Sequence, residues 1–359
     1  MVKGMTRPVA ELLLGQLGSE EAFFSASDSL ISALVGTRPG FVNTTVRREA
    51  LEAAAVEWEY ISNAKIGFLY FTDDNYPAKL LECEDAPLAL YYIGQADIED
   101  ARCLSVVGTR HATSSGIALT ENIISDLSRK VDDLVIISGL AYGIDIAAHR
   151  AAMNSGARTI AVVAHGLNTI YPAAHRQEAA KIVRNNGAII TEYPHTAAIH
   201  RANFLARNRI IAGMADGLLV VESNQKGGAM VTARLARAYN RDVMAIPGRP
   251  ADTYSQGCNS LIKQDIAGLV TCADDIIHQL GWPTRPPEGT QTTIQVNLSA
   301  EEQKIYDYLV KNGEGRLNSM SVQLDIPMSR LVPSLVNLEF NGMIISAPGA
   351  RYIPLSKVT

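Results

Sequence analysis

The stretch LSVVGTRHATSSG, residues 104–116, decides the fold, because an apolar run passes directly into a glycine-bearing turn and then into a helix start. Further apolar runs follow, separated by helical stretches such as GIALTENIISDLSRK and VTARLARAYN. Continuous apolar strands that alternate with helices predict an α/β fold, a Rossmann-like doubly wound parallel sheet buried on both faces. The predicted strands are Leu104–Val107, Leu134–Ile137, Thr159–Ala164, Ala188–Thr191, Leu218–Val221 and Val243–Ile246.

The rest of the chain surrounds this predicted domain, which we place at residues 104–280. Residues 1–65 show helical periodicity and predict a small N-terminal helical domain of the SAM or helix-hairpin-helix type, and residues 66–103 form a bridging segment into the core. Residues 281–297 combine Pro, Gly and Thr without periodicity and predict a linker. Residues 298–359 predict three helices and a hairpin, the order of a winged-helix domain, with Ser299 and Glu302 as a capping box.

Composition limits the class of protein. A hydrophobic fraction of 47% and a charged fraction of 19% over 359 residues are typical of a folded protein. No stretch approaches the roughly 20 apolar residues of a membrane span. The four cysteines are scattered, which argues against a disulfide framework or a zinc site. We therefore expect a cytoplasmic protein with no membrane partner, no bound metal and no cofactor.

The net charge of −5 is unevenly distributed. Lys and Arg number 7 against 15 Asp and Glu in residues 1–99, 18 against 15 in residues 100–280, and 7 against 7 in residues 281–359. Phosphate affinity depends on where the cations lie, so the mildly basic middle segment remains able to bind a polyanion.

The carboxyl ends of the predicted strands are rich in glycine and cations, and ligands of open α/β sheets bind at those ends. Glycine lets main-chain N–H groups approach an anion, and a helix N-terminus adds partial positive charge. Glycine also makes tight turns for structural reasons alone, but several such turns together with cations favour phosphate binding. The candidates are Gly108, Thr109 and Arg110, then Ser138, Gly139 and Gly143, then Lys226, Gly227 and Gly228, with Gly166 and Arg249 as possible further contacts.

A second source of cations is ANFLARNRIIAGMAD, in which Arg207, Asn208 and Arg209 are predicted to begin the helix that leads to the fifth strand. The two arginines do not share a helical face. We expect one to face the ligand and the other to pair with an acidic side chain, and a buried ion pair with Glu192 or Glu222 remains an alternative.

Standard nucleotide and catalytic motifs are missing. The chain has no G-x-x-x-x-G-K-[ST] sequence, which excludes a P-loop, and no G-x-G-x-x-G after the first strand, which weakens NAD binding. Asp145 and His149 are four residues apart on one predicted helix, and we interpret them as a local hydrogen bond rather than a metal site or an acid–base pair.

With these motifs in place, the chain resembles the DNA-processing protein A (DprA) family, also called Smf. The motifs VVGTRHATSSG, ISGLAYGIDIAAH, TIAVVAHGLNTIYP, GAIITEYP, RNRIIAG, MAIPG and GCNSLI stand in the family's order, and YPAKL precedes them. The resemblance implies a protein without turnover that binds and protects incoming single-stranded DNA, forms a homodimer through its Rossmann-like domain, and loads the RecA recombinase during natural transformation and recombination.

The resemblance also implies roles for individual residues. Gly108, Arg110 and the Arg207–Arg209 segment would contact phosphates, while Ser138, Gly139 and Gly143 would shape the adjoining wall. The chain departs from the family at residues 226–230, where Lys226 and two glycines replace a loop rich in hydroxyl groups. It also lacks the basic residue that often follows Tyr-Pro, for which Arg176 is a possible substitute. Phe204 is a candidate for base stacking, although core packing is the more common role for such a residue.

Two other functions are open to the sequence. A nucleoside-monophosphate phosphoribohydrolase uses a similar fold, and Glu192 or Glu222 would then be the catalytic acid. A transcription regulator would read duplex DNA with the winged helix, but the third helix of that domain offers only Arg330 as a cation.

Overall fold

The predicted parallel strands lie in one sheet of the computed structural model, which describes residues 2–37, 39–285, 298–341, 343–347 and 349–354. The order of strands is β1-β2-β6-β5-β4-β3-β7-β8-β9. Strands β3 to β9 pair in parallel, whereas β1 and β2 extend the β6 edge in antiparallel fashion. The strands are β1 (Gly67–Tyr70), β2 (Ala89–Gly94), β3 (Arg102–Val107), β4 (Leu134–Ser138), β5 (Arg158–Val162), β6 (Ala188–Thr191), β7 (Gly217–Val220), β8 (Asp242–Ala245) and β9 (Gly268–Leu269).

The helices alternate with the parallel strands, so the doubly wound fold predicted from the sequence is confirmed. In chain order they are α1 (Arg7–Leu17), α2 (Glu20–Ser25), α3 (Asp28–Val35), α4 (Thr44–Asn63), α5 (Ala78–Leu81), α6 (Ser114–Lys130), α7 (Ile144–Asn154), α8 (Arg176–Arg184), α9 (Arg201–Met214), α10 (Gly228–Ala238), α11 (Gln256–Lys263) and α12 (Ala273–Leu280). None of the helices within the described ranges is long and apolar enough to cross a membrane.

The sheet is buried on both faces, as its continuous apolar strands require. Val135 and Ile137 of β4 pack with α9, α10 and α11, while the intervening Leu134 and Ile136 pack with α6, α7 and α12 on the opposite face. Each fully buried side chain of this kind stabilises the fold by about 1.5–3 kcal/mol. The result is a rigid platform whose strand ends carry the candidate ligand-binding loops.

The chain forms two compact units, Met1–Pro286 and Pro287–Thr359. Within the first unit, the bridging segment supplies β1 and β2 to the main sheet, and the helices before it enclose a small core of their own around Phe23, Ile31 and Phe41. Most of the linker predicted at residues 281–297 lies outside the described residues. Of its described part, Trp282 packs among the residues that cover one sheet face.

The second unit has the winged-helix order that the sequence predicts. Ser299 and Glu302 form the expected capping box at the start of its first helix. Leu309, Leu331 and Leu338 are fully buried in its core. Its elements are α13 (Ala300–Asn312), β10 (Gly315–Arg316), α14 (Leu317–Leu324), α15 (Met328–Phe340), β11 (Ile344–Ala347) and β12 (Arg351–Pro354).

Arg47 is completely buried in the small helical core. Its guanidinium donates to the carbonyl oxygens of Phe41 at 3.2 Å and Val42 at 2.5 Å, and to that of Ala26. These bonds join α4 to the two loops that precede it. Removing the donor leaves buried carbonyl groups without partners, which costs about 1–3 kcal/mol for each group that stays dry.

We expect Arg47→Met to lower the free energy of unfolding by about 3 kcal/mol. Urea titration of the full chain, followed by tryptophan fluorescence to which Trp58 on the same helix contributes, measures the change. Arg48→Met is the matched control, because the Arg48 side chain is 70% exposed. Equal destabilisation by the two variants would show that the buried bonds contribute nothing.

Candidate nucleic-acid interface

An open cavity of about 720 Å³ lies where the sheet reverses its winding direction. Strand β3 pairs with β4 on one side and with β7 on the other, and the helices that follow β3 and β7 cover opposite faces of the sheet. Such a reversal opens a crevice outside the carboxyl ends of the two strands. The loops after β3 and β7 and the first half of α9 line this cavity.

The turn after β3 is held by internal bonds. The Thr109 N–H donates to the carbonyl oxygen of Glu222 at 2.7 Å, and the His111 N–H donates to Thr109 Oγ1 at 3.1 Å. The carboxylate of Glu222 accepts from Thr113 N at 2.9 Å and from Thr113 Oγ1 at 2.6 Å. Thr113 is the N-cap of α6, so the protein's own carboxylate lies at the α6 N-terminus, where the sequence suggested a phosphate.

Arg110 is the exposed cation of this turn. Its guanidinium lies 5.8 Å from the centre of the Phe204 ring, and Phe204 in turn meets Tyr171 edge-to-face at 5.6 Å. Within the described part of the chain, the Arg110 guanidinium forms no hydrogen bond or salt bridge, so its donors are available to a ligand. A cation beside an aromatic ring that is itself packed against a second ring suits a phosphate that carries a base.

The loop after β7 presents a helix N-terminus to the same cavity. Gly227 is the N-cap residue of α10 and provides no side-chain cap. A Cβ added at Gly228 would meet nothing within 4 Å, so the space in front of the helix is open. Lys226 is exposed and its amine has no acidic partner among the described residues. Uncapped amides with a neighbouring cation form an anion-binding arrangement.

The structure corrects the predicted start of the helix that carries Arg207, Asn208 and Arg209. Helix α9 begins at Arg201 rather than at Arg207, so the three residues lie in its middle turns. Sequence reasoning missed this start because the N-cap is His200, whose Nδ1 accepts from Ala202 N at 3.2 Å, and not one of the usual small polar residues. Arg201, also missed, is exposed and lines the cavity.

The structure gives the two arginines separate internal roles. The Arg207 side chain is buried and donates to the Gly139 carbonyl oxygen at 2.8 Å and to that of Val162, and burial lowers its pKa to about 10. Arg209 makes a bidentate pair with Glu192 at 3.1 and 2.6 Å. The ion pair with Glu192 that the sequence left open is thus present at Arg209, but it is only partly buried. Asn208 lines the cavity.

The glycines of the β4–α7 loop support the turn from behind. At Gly143, where φ is +77°, an added Cβ would lie 2.1 Å from the carbonyl oxygen of Thr109. At Gly139 it would lie 2.6 Å from the Arg207 guanidinium and from Asp145 Oδ2. The hydroxyl of Ser138 is fully buried and donates to the Val106 carbonyl oxygen at 2.7 Å. These three residues do not line the cavity.

The cavity therefore contains some, but not all, of the residues that the sequence predicts to bind phosphate. Outside it lie Gly166, packed against the Pro194 carbonyl oxygen, and the exposed Arg176 and Arg249. Inside it are Gly108, Thr109, Arg110, Phe204, Arg207, Asn208, Lys226, Gly227 and Gly228.

The expected hydrogen bond between Asp145 and His149 is not formed. Asp145 accepts from Ala141 N at 3.4 Å, and burial raises its pKa. His149 Nδ1 lies 2.7 Å from Thr159 Oγ1, whose own proton goes to the Ile136 carbonyl oxygen. His149 Nδ1 must therefore donate, and the buried Nε2 has no partner. The described residues contain no group of three or more His, Cys, Asp or Glu side chains that could hold a metal ion.

Burial lowers the pKa of His149 to about 3, from an ordinary value of 6.5. The unfolded chain takes up a proton near pH 6.5 and the folded chain does not, so stability falls as pH drops from 6.5 towards 3. We expect this group to contribute a loss of about 2 kcal/mol between pH 7.5 and 5.0.

Urea unfolding at the two pH values measures that loss. In His149→Gln the difference between the two pH values is expected to shrink by about 2 kcal/mol, whatever the effect on absolute stability. His278→Gln, at an exposed position of α12, is the control and keeps the original difference. An unchanged difference in His149→Gln would contradict the assignment.

Comparisons with known proteins identify the family of the chain. Residues 67–281 match the family model of DNA recombination-mediator protein A. The chain is 40% identical to the DNA processing protein DprA of Streptococcus pneumoniae over 58% of this chain and 72% of that protein. It is 38% identical to the protein Smf of Synechocystis over 79% of each chain.

Two solved structures are similar over most of their length. The X-ray structure of DprA from Streptococcus pneumoniae superposes with a TM-score of 0.65 and 33% identity, covering 77% of this chain and 94% of that one. A structure of DprA from Helicobacter pylori, described for its unique single-stranded DNA binding mode, gives a TM-score of 0.53 and 27% identity, covering 60% of this chain and 95% of that one.

Proposed function

The chain belongs to the DNA recombination-mediator protein A family, and on this premise we propose that it binds single-stranded DNA by its phosphates without cleaving it. The observation that carries the proposal is a set of unpaired cations around one open cavity. Arg110, Arg201 and Lys226 come from three different loops or helix starts, and within the described residues none of them has an acidic partner.

The distribution of these cations favours a polynucleotide over a single nucleotide. Charges on three separate elements suit several phosphates in a row, and salt-dependent affinity of this kind does not depend on base sequence. The Phe204 ring lies beside Arg110 and the Tyr171 ring lies against Phe204, so a base can stack next to the cation. The α10 N-terminus adds main-chain donors to the same cavity.

The positions of the acidic residues support binding without catalysis. Glu192 is committed to Arg209 and Glu222 to Thr113, and neither carboxylate lines the cavity. Asp145 does line it, but its side chain is only 7% exposed and lies against the buried Arg207. A phosphoribohydrolase needs an accessible acid beside the sugar, and these contacts leave none of the three acids free for that role.

Family membership supports the wider role. We propose that the protein processes and protects incoming DNA in the cytoplasm during natural transformation, loads the RecA recombinase onto the bound strand, and acts as a homodimer through the Rossmann-like unit. The Streptococcus pneumoniae and Helicobacter pylori relatives, named for DNA processing and single-stranded DNA binding, support the DNA-binding part of this proposal.

We expect Arg110→Ala to weaken binding of oligothymidylate about tenfold at low salt, because one charged contact is lost. The slope of log affinity against log salt should flatten by about 0.7 for that contact. Fluorescence anisotropy across a salt series measures both quantities. Arg129→Ala is the control, since Arg129 is exposed on α6 outside the cavity and should change neither.

The same preparation tests the alternative function, that of a nucleoside-monophosphate phosphoribohydrolase. Incubation with nucleoside monophosphates, followed by chromatography for free base, should show no turnover above the buffer blank. Cleavage of a mononucleotide by a protein that ignores oligonucleotides would overthrow the proposal.

The winged-helix unit is expected to contribute little to strand affinity. Its third helix carries one cation, Arg330, and that side chain pairs with Glu301. On the same helix, Val332, Val336 and Phe340 are exposed, a composition that suits protein contact better than DNA contact.

Deleting residues 290–359 should therefore leave the affinity for oligothymidylate within about threefold of the full chain, because the phosphate-binding cations all precede the deletion. Anisotropy titrations of the truncated and full-length proteins at equal salt provide the comparison. A drop of tenfold or more would assign strand contacts to the deleted unit.

A further inference from the structure

A second open cavity, of about 760 Å³, lies between the N-terminal helices and the β1–β2 edge of the sheet. We call it the N-terminal groove. Leu14 of α1, Phe24 of α2 and Trp58 of α4 line it, together with Phe68 of β1 and Tyr91 of β2. It shares no lining residue with the cavity proposed to bind DNA. The two cavities are therefore distinct surfaces of the same unit.

The groove presents one largely exposed apolar side chain, Trp58, beside the half-buried Phe24 and Phe68. Trp58 is 61% exposed and meets the ring of Phe68 edge-to-face at 6.1 Å. Buried neighbours such as Leu13 and Phe23 form the floor beneath them. Concentrated apolar surface with a polar rim marks a binding site more often than it occurs by chance.

The charged residues of the groove are all acidic. Glu20, Glu57 and Asp73 line it, and no Lys, Arg or His does within the described part of the chain. Glu57 is already bound by His195, whose Nδ1 lies 2.5 Å from Glu57 Oε2. Glu20 and Asp73 are exposed, and burial, followed by the charge of Glu20, raises the pKa of Tyr70 to about 12. Glu20 is hydrogen-bonded to the Tyr70 side chain and Asp73 Oδ2 accepts from Tyr70 N at 2.7 Å, but within the described residues neither carboxylate has a cationic partner, so its negative charge is uncompensated.

We propose that the N-terminal groove docks an amphipathic helix of a partner protein, with apolar side chains inserted between α2, α4 and β1 and with Lys or Arg beside Glu20 and Asp73. Apolar residues at positions i, i+3, i+4 and i+7 of such a helix match a groove of this composition. Opposite charges at the rim select the orientation and exclude wrong partners.

Charge argues against other occupants. Nucleic acids and anionic lipid surfaces would be repelled by Glu20 and Asp73. A second copy of the same face would oppose acid with acid, because residues 1–99 contain 15 Asp and Glu and only 7 Lys and Arg. A basic amphipathic helix can cover the apolar surface with its apolar face and pair its Lys or Arg side chains with the carboxylates at the rim.

Two synthetic 18-residue helices test the proposal on the full-length protein. Both carry Leu at the i, i+3, i+4 and i+7 positions, and one has Lys and the other Glu at the remaining positions. Fluorescence anisotropy of labelled peptide should show at least tenfold tighter binding of the Lys peptide. Equal affinities, or no binding of the Lys peptide, would overturn the proposal.

Matched variants separate docking from general attraction to an acidic protein. Glu20→Lys should lower the affinity for the Lys peptide at least fivefold. Glu21→Lys, at a neighbouring position in the same helical turn that does not line the groove, should change that affinity less than twofold. Trp58→Ala should also lower the affinity for the Lys peptide at least fivefold. Leu51→Ala, at an exposed position on the same helix outside the groove, should not. Equal effects within either pair would refute the assignment.

Two further measurements distinguish other outcomes. Oligothymidylate affinity should stay within twofold in all four variants, so a failed peptide test leaves the DNA-binding proposal unaffected. Sedimentation velocity of Glu20→Lys and Trp58→Ala should match wild type. A shift from dimer to monomer in these variants would mean that a second copy covers the groove, and would overturn the proposal. Native mass spectra test for a small apolar ligand. Finding one that must be removed before the peptide binds would also overturn the proposal.

Discussion

Glu222 ties the two halves of the parallel sheet together at the point where the cavity proposed to bind DNA opens. Its carbonyl oxygen accepts from Thr109 N, and its carboxylate holds Thr113 at the N-terminus of α6. A negative charge in that position is stabilised by the helix dipole. The surroundings leave no space for a side chain at Gly116, where a Cβ would lie 2.4 Å from Glu222 Cδ. With its main chain held in this way, the turn directs Arg110 outward.

Internal arginines and exposed cations have different roles in the middle segment. Arg207 bridges the carboxyl ends of β4 and β5 through the carbonyl oxygens of Gly139 and Val162, and Arg209 neutralises Glu192. A buried guanidinium with these bonds cannot be removed without leaving polar groups unpaired. Among the exposed cations around the cavity, Arg110 and Lys226 lie on loops and Arg201 lies at the start of α9, where a flexible polyanion can reach them. Internal arginines thus position the loops that carry the external ones.

The first unit, Met1–Pro286, has two surfaces of opposite chemistry. The cavity at the strand ends combines cations, aromatic rings and an uncapped helix, whereas the N-terminal groove combines apolar side chains with carboxylates. A net charge of −5 conceals this separation, since residues 1–99 are acidic and residues 100–280 are slightly basic. Segregated charge allows one chain to attract a polyanion at one surface and a cationic partner at another without competition between them.

The sequence by itself determined the parallel strands β3 to β8, whose boundaries lie within two residues of the predicted runs, and the glycine-bearing turns after β3 and β7, but it did not indicate the two-residue parallel strand β9. Apolar runs and glycine turns are local signals, so no distant residue is needed to interpret them. Only the tertiary structure decided the roles of Arg207 and Arg209 and the start of α9 at Arg201. The acceptors of Arg207 lie 68 and 45 residues away in the chain. Which cations are consumed internally therefore depends on contacts that exist only after folding, and no local pattern encodes them.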